Sequence, residues 1–183
     1  VLAGVIYGVV RLNGDRPVSY ASIEDHFKYG STGGERGFGK QPGAGIPYWI
    51  WIALPELFTQ YLPDRKGGHG YASLGMIYEE GKDLPVGMSK RKYQGIDRTF
   101  LNCAVCHTST VRDSVQSKPK LYSGMPANTF NIMAFQRFFF ACGRDPKFSQ
   151  EYVIPEVRAM LKQRGEDLDL IDRYVVYPGA IWL

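Results

Sequence analysis

Residues 103 to 107 read Cys-Ala-Val-Cys-His, and this short run limits the folds open to the chain more than any other feature. On one helical turn, positions i, i+3 and i+4 share a face, so Cys103, Cys106 and His107 are expected to point the same way. Two thiols at this spacing can add to the two vinyl groups of one haem, and the histidine that follows can coordinate the iron. The run therefore predicts one covalently bound haem c, with His107 as the proximal ligand.

Two other uses of the cysteines are open at this point. A zinc site could combine three cysteines with one histidine, although the chain has no second closely spaced pair of ligands. The residues concerned are Cys103, Cys106, Cys142, His26, His69 and His107. A thioredoxin-like redox pair needs a strand and a helix around it in an α/β pattern, which the sequence does not indicate. Cys142 by itself is typical of a small buried apolar residue.

The second axial ligand decides what such a haem can do. Coordination by His and Met closes the iron and favours electron transfer, whereas an open site admits oxygen or peroxide. Met125 lies in Ser-Gly-Met-Pro, a rigid loop 18 residues after His107. We predict Met125 as the second axial ligand of the iron. Plain packing is the alternative for Met125 and the expectation for the other four methionines.

Basic residues lie on both sides of the Cys-Ala-Val-Cys-His run. They are Lys90, Arg91, Lys92, Arg98 and Arg112. A solvated basic face is one explanation for them. Because the haem propionates are carboxylates, which arginine neutralises well, we predict that Arg98 and Arg112 bind them, since these two bracket the run.

Composition narrows the class of protein further. A chain of 183 residues with 44% apolar residues suits one globular domain and excludes a disordered protein. The net charge of +4 is weak and spread out, so we expect no nucleic-acid partner. Three cysteines rule out a fully paired disulfide framework.

The two ends of the sequence are both apolar. Residues 1–12 form an N-terminal segment that is too short for a membrane-spanning helix of about 20 residues. It is either an ordinary buried segment or the remnant of a signal peptide or membrane anchor. We assign residues 13–183 to the haem domain. Because the sequence stops in an apolar stretch, we expect that domain to be truncated at its C terminus.

Helical patterns dominate the rest of the chain. Ser22 is a candidate N-cap for a helix through Tyr29, and Asn128 for a helix that ends near Cys142. A helix is predicted at 47–61, with a kink or break at Pro55, and further helices are predicted at 147–164 and 166–176. Long loops are predicted at 30–45 and 62–96. The expected fold is mainly α: a cytochrome c-like helical haem domain with long irregular loops.

A series of short motifs resembles a bacterial family. The motifs are Phe-Lys-Tyr-Gly-Ser at 27–31, Gly-Ile-Pro-Tyr-Trp-Ile-Trp at 45–51, Gly-Tyr-Ala-Ser-Leu-Gly at 70–75, Asp-Leu-Pro-Val-Gly at 83–87 and the run at 102–108. In this order they resemble the N-terminal half of the dihaem c-type cytochromes related to rubber oxygenases and, more distantly, to dihaem cytochrome c peroxidases. The resemblance covers roughly residues 24–142. It implies that Cys103, Cys106 and His107 form the first haem motif of that family. A second haem domain normally follows there, but this sequence has no second attachment motif.

Two functions follow as expectations. The first is a monohaem electron carrier that works with a redox partner protein or as a subunit of a larger complex, with membrane anchoring through the N terminus. The alternative is the N-terminal part of a dihaem oxygenase or peroxidase with an open distal haem site. The resemblance implies an extracytoplasmic location, such as the periplasm, because haem is attached to these proteins after export.

Overall fold

The structure is a computed structural model that describes residues 6–8, 10, 18–31, 45–63, 69–93 and 95–182. Of these residues, 48% are helical and 15% lie in strands, so the fold is mixed α/β. The prediction of a mainly α, cytochrome c-like helical domain is therefore wrong. Strands at Ile96–Leu101 and Thr108–Val111 stand directly before and after the Cys-Ala-Val-Cys-His run.

The elements follow one another along the chain as short helices and strands. They are α1 (Ile23–Tyr29), β1 (Ile46–Pro47), α2 (Tyr48–Leu57), β2 (Met88–Tyr93), β3 (Ile96–Leu101), β4 (Thr108–Val111), β5 (Lys120–Ser123), α3 (Ile132–Arg144), α4 (Gln150–Gln163) and α5 (Tyr177–Trp182). Single 3-10 turns occur at Thr59–Tyr61, Gly70–Leu74 and Cys103–Val105. A π-helical turn at Asp172–Val176 leads into α5.

The chain divides into two compact units, and each unit is built from two chain segments. The first unit contains residues 1–45 and 76–130, and the second contains residues 46–75 and 131–183. All the haem-related residues predicted above, from Arg98 to Met125, belong to the first unit. The assignment of 13–183 to one haem domain stays a prediction.

An antiparallel hairpin of β2 and β3 forms much of the first unit. Its register pairs Met88 with Leu101, Arg91 with Arg98 and Tyr93 with Ile96. Gly95, with a φ of 75°, supplies the left-handed conformation of the tight turn between the strands. Most of this hairpin falls in the region 62–96, which we expected to be irregular because Gly and Pro are frequent there. That expectation is wrong for residues 88–93, where the chain is extended and hydrogen-bonded.

The first unit also contains α1 and a second antiparallel pair, β4 and β5, in which Thr108 lies opposite Ser123. The predicted N-cap of α1 is confirmed, because the Ser22 hydroxyl accepts a hydrogen bond of 3.0 Å from the backbone N–H of Asp25. The helix ends at Tyr29, as expected.

The second unit has an aromatic core. The rings of Trp51 in α2 and Tyr71 are stacked with centroids 4.0 Å apart, and the Tyr71 hydroxyl donates a 2.7 Å hydrogen bond to the Trp51 carbonyl. Phe138 of α3 meets Tyr71 edge-on at 5.8 Å. The helix α2 ends at Leu57, two residues after Pro55, and the chain then forms a 3-10 turn. The predicted break in the helix is therefore present, but after the proline rather than at it.

The later helices differ from their predicted bounds mainly at their starts. Asn131, not Asn128, caps α3, because its side chain accepts from the backbone N–H of Ala134 at 2.9 Å. Asn128 instead bonds the backbone of Thr110. The helix α4 lies inside the predicted range 147–164, and the predicted helix at 166–176 is found only in part, as the π-helical turn that runs on into α5.

Several predictions fall on residues that are described only in part. In the apolar N-terminal segment, residues 6–8 and 10 are helical, and the rest of 1–12 lies outside the described residues. The same holds for residues 32–44 of the expected loop at 30–45. No helix among the described residues is long and apolar enough to cross a membrane.

Candidate haem-attachment site

Residues 103–107, called the attachment turn below, form one tight helical turn between β3 and β4. The backbone N–H groups of Cys106 and His107 both donate to the Cys103 carbonyl, at 3.2 and 3.0 Å. Both cysteines are free thiols, and Cys103, Cys106 and His107 are exposed, whereas Ala104 and Val105 between them are buried. The two thiols and the imidazole are therefore all exposed on one tight turn.

Asn102 holds the attachment turn in place from below, and sequence reasoning did not single it out. Its side-chain oxygen accepts from the backbone N–H of Ala104 at 2.9 Å, which caps the turn. Its side-chain NH₂ donates to the carbonyls of Lys28 and Gly30 at 3.2 and 3.0 Å. Asn102 is only 6% exposed, so these bonds are shielded from water. An asparagine directly before a helical turn is a typical N-cap, and that signal could have identified it.

Gly87 lets the backbone of the attachment turn approach β2 closely. It has a φ of +90°, and a Cβ atom there would lie 2.3 Å from the Cα and N atoms of Val105. Its N–H donates to the Lys28 carbonyl at 2.9 Å, and its carbonyl accepts from the N–H of Asn102 at 2.8 Å. Only glycine fits this position, because any side chain would push the attachment turn away.

A charged cluster fastens α1, the helix to which Asn102 is bonded. Lys28 is buried and its ammonium lies 2.9 Å from Glu24 and 3.0 Å from Glu79. Burial alone would lower the pKa of Lys28, but the bonds to the two carboxylates outweigh it and raise the pKa. Burial likewise acts to raise the pKa of Glu79, but hydrogen bonds from Tyr29 and Lys28 lower it below the ordinary value. The cluster is therefore held in its charged form at neutral pH.

The structure places Met125 next to the attachment turn. Residues 124–127, called the Met125 loop, are tied to it by two backbone bonds, from Gly124 N–H to the His107 carbonyl at 2.8 Å and from Ala127 N–H to the Cys106 carbonyl at 2.9 Å. Met125 is 42% exposed. Coordination by Met125 stays a prediction.

The two predicted propionate partners have different surroundings. Arg98 is partly buried in β3, its Nη1 donates to the Gly45 carbonyl at 3.3 Å, and its buried Nε has no acceptor among the described residues. Burial lowers the pKa of Arg98, although the guanidinium remains charged at neutral pH. Arg112 is exposed just after β4. Of these two arginines, Arg98 is the one that is partly buried and has a buried donor without an acceptor among the described residues.

The zinc alternative gains no support from the part of the chain that the structure describes. No group of three or more His, Cys, Asp or Glu residues there could hold a metal ion. Cys142 is buried in α3, and burial raises its pKa to about 12, so its thiol is protonated and a poor ligand. Its predicted role as a small buried residue is confirmed. His26 is exposed and stacks on Tyr20 at 5.0 Å.

Comparison with known protein families, with curated proteins and with solved structures finds no match to this chain. The resemblance to dihaem cytochromes therefore stays a prediction that rests on its motifs. The local donor set nevertheless fits a haem c. It offers two free exposed thiols and one exposed imidazole on a tight turn, and a partly buried arginine, Arg98, whose Nε has no acceptor among the described residues.

Proposed function

We propose that the chain is a c-type haem protein that transfers electrons, with one haem c bound through Cys103 and Cys106 and with His107 as its proximal ligand. The observation that supports this most is the exposure of these three side chains on one turn. Cysteine is among the residue types most often buried, so two exposed thiols on a rigid turn are unusual. The bound haem supplies an iron that changes its oxidation state by one electron.

The chain's own residues attach and orient the group. Cys103 and Cys106 would hold the group, because each thiol S–H would add across one vinyl C=C, with a C–S bond formed and the hydrogen passed to the other vinyl carbon. Asn102 and Gly87 fix the turn that carries the thiols and His107, which limits rearrangement when the charge of the site changes. Arg98 offers a donor to a propionate, and Arg112 provides a second, more solvated cation.

The proposed setting is an extracytoplasmic compartment such as the periplasm, where haem c is attached after export. The partner is a redox protein or a larger redox complex that docks near the exposed attachment turn. Anchoring to a membrane through residues 1–12 belongs to the same proposal. The apolar character of that segment supports it.

An open distal site is the second candidate, and the Met125 loop favours it. That loop is bonded to the backbone of Cys106 and His107, and the iron would be open to a second ligand if these bonds kept the Met125 side chain away from it. In that case the chain is the N-terminal part of a dihaem oxygenase or peroxidase, in which oxygen or peroxide reaches the iron.

The first experiment tests the covalent haem. The chain is produced in a host with haem-attachment machinery, purified, denatured and extracted with acidified organic solvent. We expect the colour to remain with the wild-type chain and to be lost from the double variant Cys103→Ser, Cys106→Ser. The variant Cys142→Ser is the matched control, and it should keep its haem. Colour that is extracted from the wild type, or never acquired, would refute the proposal.

The second experiment separates the two candidates. The protein is reduced and carbon monoxide is added while the Soret band is recorded. Prompt binding by the wild type supports the open site and ends the Met125 assignment. Resistance to carbon monoxide, with a weak far-red sulfur-to-iron band that disappears in Met125→Ala, supports the closed electron carrier.

A further inference from the structure

We infer that a groove in the second unit binds small amphiphilic oxyanions, in which a carboxylate or phosphate head carries a short apolar chain. The groove lies between α4 and the π-helical turn at Asp172–Val176, and its volume is about 240 Å³. Pockets for drug-sized ligands typically measure about 300–1,000 Å³, so this groove suits a smaller ligand. Its lining consists of Ile154, Pro155, Arg158, Ala159, Lys162 and Arg173. The inference is independent of the haem, because all of these residues belong to the second unit.

The lining of the groove is positively charged. It contains three cations and no carboxylate. Arg158 and Lys162 are four residues apart on α4, so they share a face of the helix and repel each other. Asp167 neutralises one of the three, because it accepts bonds from the Nε of Arg158 at 2.8 Å and from its Nη2 at 2.6 Å. The next carboxylates along the chain, Asp169 and Asp172, do not line the groove. Three cations against one carboxylate leave an excess of two positive charges, which a bound anion would compensate.

Lys162 and Arg173 are the cations that remain available to a ligand. Neither forms a salt bridge with another residue in the described part of the chain, whereas Arg158 does. The Arg173 guanidinium lies over the Tyr174 ring at 5.0 Å, and a contact with a ring face uses no hydrogen-bond donor. The fork of a guanidinium matches the oxygens of a carboxylate or phosphate, and a lysine ammonium adds a point charge. Lys162 and Arg173 can therefore bind the head of the oxyanion.

The other half of the lining is apolar. Ile154, Pro155 and Ala159 contribute only hydrocarbon side chains to the groove. The ring of Pro155 also replaces its backbone N–H, so that position offers no main-chain donor to an anion. An inorganic anion would leave this apolar surface in contact with water, whereas an alkyl chain would cover it. The combination of cations and apolar side chains therefore indicates a ligand that has both a charged head and a chain.

The test is a titration of the full ¹⁵N-labelled chain, followed by two-dimensional NMR. The probes are hexanoate and hexyl phosphate. Acetate has the charged head without the chain, and hexylamine has the chain without the negative charge. We expect both six-carbon anions to shift the amide signals of residues 154–162 and 173, and to bind at least about threefold more tightly than acetate or hexylamine. The anion that binds more tightly identifies the preferred head.

Variants show whether the groove itself holds the anion. Lys162→Gln and Arg173→Gln should each weaken hexanoate binding by about three- to fivefold. The matched controls Lys147→Gln and Arg144→Gln remove exposed cations that do not line the groove, and they should weaken it by less than about 1.5-fold. Ala159→Leu keeps all three cations but fills part of the groove, so it should weaken binding as well. Ala159 is exposed and leucine favours helices, so this variant should fold.

Several results would overturn the inference. One is the absence of binding by either six-carbon anion, and another is hexylamine binding as tightly as hexanoate, because the cations would then play no part. Acetate binding as tightly as hexanoate would remove the role of the apolar lining. Equal weakening by the groove variants and their controls would show a general charge effect. If one variant does not fold, the other variants and the comparison of probes on the wild type still decide. None of these results bears on the haem, which the colour extraction tests separately.

Discussion

The three cysteines differ in exposure, and this difference makes the haem proposal testable by simple labelling. Cys103 and Cys106 are exposed, whereas Cys142 is buried with a pKa raised to about 12. In the folded chain made without haem, we expect iodoacetamide to label two cysteines and to spare Cys142, because the reactive thiolate is not formed there. In the haem-loaded chain no cysteine should be labelled until denaturation, and then only Cys142. Mass spectrometry counts the labels. Two labels on the denatured haem-loaded protein would contradict two thioether links.

Asn102 makes three hydrogen bonds that are shielded from water, and its loss should be costly. Asn102→Ala removes the cap of the attachment turn and leaves the Lys28 and Gly30 carbonyls without this donor. We expect it to reduce the free energy of unfolding by about 2–4 kcal/mol. Asn128→Ala is the control, because Asn128 bonds Thr110 at an exposed position and should cost about 1 kcal/mol or less. Urea denaturation followed by circular dichroism measures both. Equal losses would mean that Asn102 does not hold the turn.

At the scale of residues, the sequence predicted what depends on local spacing. The position of Cys103, Cys106 and His107 within one tight turn agrees with their spacing in the sequence, whereas their exposure does not follow from spacing. The bonds of Asn102 to Lys28 and Gly30 join residues more than 70 positions apart, and no local pattern specifies them. The surroundings of Arg98 and Arg112 likewise differ because of strand pairing, which the sequence alone does not reveal.

Alanine substitutions at two glycines of the first unit allow the cost of backbone strain to be compared with the cost of a steric clash. Gly87 and Gly124 both have left-handed backbone, with φ of +90° and +84°. A Cβ at Gly87 would meet the backbone of Val105 at 2.3 Å, whereas a Cβ at Gly124 has no atom within 4 Å. We expect Gly124→Ala to cost about 1–2 kcal/mol from strain alone. Gly87→Ala should cost more than about 3 kcal/mol, because the attachment turn must move away from β2.

The variants Gly87→Ala and Gly124→Ala also test whether the position of the attachment turn affects haem attachment. Gly87→Ala should reduce the fraction of chains that acquire covalent haem, since the turn that presents the thiols is displaced. Gly124→Ala leaves the attachment turn in place and should acquire haem nearly as the wild type does. The ratio of Soret absorbance to protein, measured after purification, gives the comparison. Equal haem content in the two variants would contradict the close contact of Gly87 with the turn.

At the scale of elements, the helices were easier to predict than the strands. The Ser22 cap and the apolar spacing of α2 are local signals, and both helices lie close to their predicted positions. The strand β2 reads Met-Ser-Lys-Arg-Lys-Tyr, and its three successive cations leave no alternation of apolar and polar residues that would indicate a strand. Its pairing with β3 decides the conformation there, because neither segment has a strong pattern of its own. The Asn128 cap was assigned wrongly because Asn131, three residues later, offers the same side chain.

The division of the chain into two units lies beyond what local patterns can show. Each unit joins segments that are separated by at least 30 residues of the other unit. The three tryptophans, Trp49, Trp51 and Trp182, all belong to the second unit, while the attachment turn belongs to the first. Tryptophan fluorescence therefore reports on the second unit, and the absorbance of the proposed haem would report on the first. An unfolding experiment on the whole molecule therefore needs one spectroscopic probe for each unit.

The charged cluster of Lys28, Glu24 and Glu79 should make the first unit sensitive to acid. The folded pKa of Glu79 is lowered from its ordinary value of 4.5, so its contribution to stability is present above that pH. It is lost as the pH falls through the lower folded pKa. The pKa of Lys28 is raised from 10.5, so its own contribution is complete throughout the acid range and changes only in strong alkali.

We therefore expect the stability of the first unit to decrease below about pH 4.5, and Glu79→Gln to make that decrease shallower while lowering stability at pH 7. Glu80→Gln removes the same charge from the exposed neighbouring residue and should leave the pH profile as in the wild type. Hydrogen exchange of peptides covering residues 23–29, measured between pH 3.5 and 7 after correction for the intrinsic exchange rate, follows this unit directly. A profile that is equally steep in Glu79→Gln and the wild type would show that another carboxylate controls the acid response, and that the Lys28 cluster does not fasten α1.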